Sequence, residues 1–167
     1  MNLNPRRSLS LSATVAATAL LAACGSSGAP TKANYIKQAD VICEQGSTQL
    51  RALGRPQTSG LPPARALAVL SGYLDKVVPV AQQVVSQIRS LKQPSGDQKL
   101  LQQYLGAQDA AMVRLRALST VAKTGNLRAA RADAQALSNS QADALATQYG
   151  FKHCGSTSGT GSSSSGG

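Results

Sequence analysis

From residue 31 to residue 150 apolar side chains recur three and four positions apart, the spacing of one face of an α-helix, and no stretch alternates in the two-residue rhythm of a strand. Four helical segments follow from that rhythm. The first, about Thr31 to Leu53, sets Ile36, Ala39, Cys43, Gly46, Leu50 and Leu53 on one seam, and Gly54 stands where a left-handed C-terminal cap belongs. The second begins at Pro62 and Pro63, which suit a first helical turn, and runs to about Lys92 along Leu67, Leu70, Leu74, Val77, Ala81, Val84, Ile88 and Leu91. Pro79 falls on its outer side and predicts a kink, not an end. The third, expected to be capped by Ser95, carries Leu101, Tyr104, Gln108, Ala111, Leu115, Leu118 and Ala122 and stops at Gly125. The fourth runs from Asn126 to Tyr149 and stops at Gly150. Its seam of Leu127, Ala130, Ala134, Leu137, Gln141 and Ala144 is rich in alanine, which implies close helix approach and thin apolar burial.

Amphipathic helices joined by short connections pack most economically as an all-α, up-down-up-down four-helix bundle, placed here at residues 32–154. The flanks are of another character. Gly25 to Thr31 (GSSGAPT) reads as a flexible tether. Residues 155–167 (GSTSGTGSSSSGG) read as a disordered tail, too polar to bury anything.

The first 23 residues form a leader: a basic start with Arg6 and Arg7 and no acid, then an apolar run from Leu9 to Ala23, too short to serve as a final membrane span. It ends in Leu21, Ala22, Ala23 and Cys24, which resembles the lipobox of bacterial lipoproteins. The resemblance implies cleavage before Cys24, a diacylglyceryl chain on its thiol and an anchor on the outer face of the cell membrane. Export through the general secretory route is expected, although PRRSLSL partly resembles a twin-arginine signal, with Leu9 where that signal favours Phe. Cleavage removes two of the 17 basic residues and none of the seven acidic ones, so the net charge falls from +10 to +8. No 18-residue apolar stretch follows Cys24.

With Cys24 assigned to lipid, Cys43 and Cys154 remain as an even pair in an oxidising compartment, and a disulfide between them is expected. Such a bridge spans about 111 residues, for which chain entropy gives roughly 4–5 kcal/mol. In the antiparallel bundle the fourth helix ends beside the start of the first, and the residues after Gly150 need only turn back for Cys154 to meet Cys43. The segments NYIKQADVIC and YGFKHC resemble small exported proteins and lipoproteins of actinobacteria. That resemblance implies the helical fold and the paired cysteines, and it brings no activity with it.

The inventory of reactive groups argues against an enzyme. One histidine, His153, and one glutamate, Glu44, give a hydrolytic dyad or a di-iron carboxylate site nothing to build from. No Cys-x-x-Cys-His offers haem attachment, the Gly- and Ser-rich tail lacks the strand and helix that frame a phosphate loop, and no metal or other cofactor is expected. His153 reads as an exposed residue beside a bridging cysteine.

Charge gives the remaining reading, a non-enzymatic binding or structural module, its shape. In an antiparallel bundle the first and third connections share one end, which would gather Arg51, Arg55, Arg65, Arg114, Arg116, Lys123, Arg128 and Arg131, with the lipid entering at the other end. This basic pole would face an anionic envelope polymer or an acidic protein. Solvation of helix ends accounts for Arg51 and Lys123, which sit in C-terminal turns. It does not account for Arg65, Arg128 and Arg131, which sit in N-terminal turns against the helix dipole. Nucleic acid is not an expected partner, given 3% aromatics and an exported address, and the protein is expected to be a monomer. An alternative function is a small apolar-ligand or lipid carrier with a cavity beside the alanine-rich fourth helix. Tyr35, Tyr104 and Tyr149, with Phe151, fall near the membrane-proximal end. They plug the bundle or, as the competing expectation, form a membrane-contacting belt or ligand box.

Overall fold

The structure is a computed structural model that describes residues 29–155. The leader, Cys24, the first part of the tether and the tail from residue 156 lie outside the described residues. The described chain is all-helical, and no strand occurs among the described residues. Helix α1 is Lys32–Ala52, α2 Pro63–Ser90, α3 Gln98–Lys123, α4 Leu127–Ser138 and α5 Ala142–Tyr149. None is long and apolar enough to cross a membrane.

Local chemistry sets most of these ends. The Thr31 hydroxyl accepts from the Asn34 amide at 3.2 Å to start α1, and Gly54 follows its end at φ 70°. Pro63 occupies the first turn of α2, where its missing N–H costs nothing, and exposed Pro79 leaves α2 continuous through Ser90. Two expected boundaries are corrected. Ser95 does not cap α3: fully buried Pro94 fixes the loop, and Asp97 takes the capping position at φ 55°, its carboxylate turned to Lys32 Nζ at 2.7 Å. The segment expected as one helix from Asn126 to Tyr149 is two. Ser138 Oγ donates to the Gln135 carbonyl at 2.8 Å and Ser140 Oγ accepts from the Ala142 amide at 3.2 Å, so short polar side chains take over backbone groups and end the helix between them. The break changes the buried face. Ala134, Gln141 and Ala144 of the expected seam are exposed, and α5 buries Ala142, Ala146 and Tyr149 instead.

α1 packs on α2, α2 on α3, and α3 on both α4 and α5. Between α1 and α2 the Val84 side chain packs onto Gly46, where a Cβ would stand 2.3 Å from Val84 Cγ2. Tyr35 in the first turn of α1 donates its hydroxyl to the Ile88 carbonyl near the end of α2, at 3.5 Å. Arg89 of α2 bridges to α3 by pairing with Asp109 and donating to the Leu105 carbonyl at 3.2 Å.

Two apolar cores result. One gathers Tyr35, Ala39, Cys43, Ile88, Leu101, Tyr104, Leu105, Ala146, Tyr149, Phe151 and Cys154, and there the Cys43 and Cys154 sulfurs stand at disulfide distance, 2.08 Å, with Cα atoms 5.1 Å apart. The other joins Leu67 and Leu74 of α2 to Leu118 and Ala122 of α3 and Ala130 of α4.

Candidate functional site

The second core is the floor on which the cationic residues stand. Leu67 of α2, Ala122 of α3 and Ala130 of α4 pack together, which brings the first turns of α2 and α4 and the last turn of α3 to one end of the molecule. Arg65, Lys123, Arg128 and Arg131 therefore project from neighbouring positions, and all four are exposed. Asn126 starts α4 by accepting from the Ala129 amide at 3.1 Å. Arg51, Arg55, Arg114 and Arg116 are exposed as well.

Their partners differ. Lys123 Nζ lies 2.7 Å from Asp75 Oδ1, and Arg114 lies 3.5 Å from Asp133. Asp75, whose second contact is the Ser119 hydroxyl at 3.5 Å, was not anticipated at this end, because it stands in the middle of α2 and reaches the pole only through helix packing. The Lys123–Asp75 pair is solvated and contributes little to stability, whereas the Asp133 carboxylate is only 14% exposed. Arg51 turns back to the Thr48 hydroxyl of its own helix at 2.9 Å. Arg65, Arg128 and Arg131 have no carboxylate within ion-pair distance among the described residues. The first turns of α2 and α4 contain no acid either, so the partial positive charge of each helix start faces guanidinium groups unrelieved.

No family model, no curated protein and no solved structure matches the chain. Function therefore rests on its own residues.

Concave features occur on the outer surface of the described residues. A groove of about 330 Å³ between α2 and α3 is lined by Gln82, Val85, Ser86, Met112, Val113 and Arg116 together with the Arg89 and Asp109 pair. Another of about 410 Å³ runs along Val41, Glu44, Gln45, Thr48 and Gln49 of α1 alone. Both are open to solvent. No group of three or more His, Cys, Asp or Glu side chains poised to hold a metal occurs among the described residues.

At the opposite end the aromatic residues form a closed plug. Tyr35, Tyr104 and Tyr149 are each 0% exposed and Phe151 6%, so the alternative of a membrane-contacting belt is corrected. Phe151 ties the rings together, with centroids 4.9 Å from Tyr104 and Tyr149 and 6.2 Å from Tyr35. Tyr35 meets Tyr149 edge to face, and Lys32 Nζ stands 4.7 Å from the Tyr149 ring centre. Burial pushes the Tyr35 phenol up to about 12, with Tyr149 adding to the rise and Arg89 opposing it. Burial also raises Tyr104, against the hydrogen bond it accepts from Gln108 at 3.0 Å.

Sequence reasoning missed Asp40. It is buried one turn before Cys43, and its carboxylate accepts from the Lys152 amide at 3.0 and 3.1 Å and the His153 amide at 2.9 Å. The side chains of Lys152 and His153 face outward. An acid among the apolar positions of α1 was the available signal; its partners, being backbone groups, left no mark on the sequence.

Proposed function

We propose that this protein is an exported lipoprotein, held to the outer face of the cell membrane by lipid on Cys24, whose helical domain presents a basic pole to the envelope. On this reading α1, α2, α3 and the α4–α5 pair are the four arms of an up-down-up-down bundle, closed by a disulfide between Cys43 and Cys154. The leader, the LAAC sequence and the pairing of the other two cysteines support the address. The domain acts by binding and not by catalysis, a reading that rests on its single histidine and single glutamate.

Orientation follows from where the tether joins. Thr31 leads into α1 beside Asp97 and Tyr149, at the aromatic end. Helix α1 has 21 residues, a length of about 30 Å at 1.5 Å per residue, so the basic pole stands well away from the anchored end. There it meets an anionic envelope polymer or an acidic protein.

The observation that carries this reading is the trio Arg65, Arg128 and Arg131: exposed, unpaired with acid, and with Arg65 and Arg128 in first helical turns, where each opposes a helix dipole by about 0.3–1 kcal/mol at low salt. A structural role would place them at helix C-termini. Replacing Arg128 and Arg131 by Gln is expected to weaken capture of anionic envelope material at low salt by about two- to thirty-fold, at roughly 0.2–1 kcal/mol per exposed contact. The same change should leave the melting temperature unchanged or higher. Capture should fade as salt rises, since the screening length is about 8 Å at physiological ionic strength. If the wild type and the double variant bind the same material equally at low salt, the pole is only a solvated surface.

A further inference from the structure

The six residues YGFKHC, 149–154, form a hook in which each position contributes to closing the chain. Tyr149 closes α5 from within the aromatic core. Gly150, at φ 104°, turns the chain through a left-handed conformation, and the Gly150 and Phe151 amides both donate to the Ala146 carbonyl at 3.0 Å. Phe151 then enters the aromatic core, the Lys152 and His153 amides reach Asp40, and Cys154 arrives at Cys43. Asp40 and Cys43 are three residues apart on α1 and therefore share a face. One turn of helix thus offers a carboxylate and a thiol to consecutive parts of the same hook.

We propose that Asp40 is a positioning residue for the bridge: its carboxylate docks the hook through the Lys152 and His153 amides and so delivers Cys154 to Cys43 before the bond forms. The proposal rests on the pairing of these two cysteines. The chemistry follows from order of events. Two amide N–H groups donating to an ionised acceptor make charge-assisted hydrogen bonds, roughly twice as strong as neutral ones. They tie down residues 152 and 153, immediately before Cys154, and replace a loop closure over 111 residues with a search over one. Oxidation by a small-molecule disulfide then proceeds by attack of one thiolate on the oxidant, giving a mixed disulfide and releasing one thiol. Attack by the second cysteine releases the other thiol and leaves the Cys43–Cys154 bond. Asp40 takes no part in electron transfer; it raises the effective concentration of the second thiol.

Two measurements on the mature chain, with Cys24→Ser to leave only two thiols, test this. In glutathione redox buffers the effective molarity of Cys43 and Cys154 is read from the fraction bridged. Asp40→Asn, which keeps the shape but brings an NH2 toward the amides, should lower it about tenfold or more. In a Cys43→Ser/Cys154→Ser chain that keeps Asp40, hydrogen exchange should find the Lys152 and His153 amides protected although no bridge can form. Equal effective molarity in wild type and Asp40→Asn overturns the proposal, and so do unprotected amides in the thiol-free chain, a readout that stands even if Asp40→Asn destabilises the helices. Failure of the wild type to bridge at any glutathione ratio overturns the cysteine pairing itself, and is told apart from the other failures by the missing bond.

Discussion

Tyr35 carries much of the chemistry of the aromatic end in one side chain. Its ring is sealed between Tyr149, Phe151 and the end of α2, and its phenol can ionise only by placing charge in that apolar setting. The folded value near 12 therefore lies above the ordinary 10.0. Between those two values the folded chain holds a proton that the unfolded chain releases, so stability is fully present below pH 10 and falls as pH rises toward 12. Denaturant midpoints followed by circular dichroism at pH 9, 10, 11 and 12 should decline over that window, and Tyr35→Phe should make the decline shallower. An equal decline in both chains would mean that the ring meets water.

At the scale of elements, the contact between α1 and α2 depends on the missing side chain at Gly46. Adding a methyl group there drives it against Val84, a stiff β-branched neighbour, at a cost of about 1–3 kcal/mol, while the gain in helix propensity is only about 0.8–1 kcal/mol. Gly46→Ala is expected to lower stability by roughly 1 kcal/mol, and Val84→Ala in the same chain should recover part of the loss; additive losses in a double-mutant cycle would place the two residues out of contact. Gly46 was legible as a seam position because its period of three and four survives in the structure, as does that of α2 from Leu67 to Ile88. The split between α4 and α5 was not. Alanine-rich flanks kept the helical rhythm running past Ser138, Asn139 and Ser140, and only the backbone bonds of the two serines reveal which signal prevailed. The same limit hid Asp40 and Asp75, whose partners are set by packing between distant segments and not by local spacing. The cationic residues of the pole were readable one by one as exposed, but which of them find carboxylates depends on the crossing of α2, α3 and α4.

The whole molecule has two unlike ends. The end where α1 starts is aromatic and closed, with the hook of residues 149–154 folded over it; the far end rests on leucine and alanine contacts and exposes Arg65, Arg128 and Arg131 with no carboxylate at ion-pair distance. That polarity has meaning for an anchored protein, because an anchor fixes which end faces outward. The anchor is the claim on which the functional reading turns. Intact-mass analysis of the protein extracted from membranes with detergent tests it most directly, with alkylating reagent present and reductant absent. The account predicts a chain beginning at Cys24, heavier by a diacylglyceryl modification, with no alkyl group on Cys43 or Cys154. A full-length chain, or a mature chain with an unmodified Cys24 that alkylates, would contradict it.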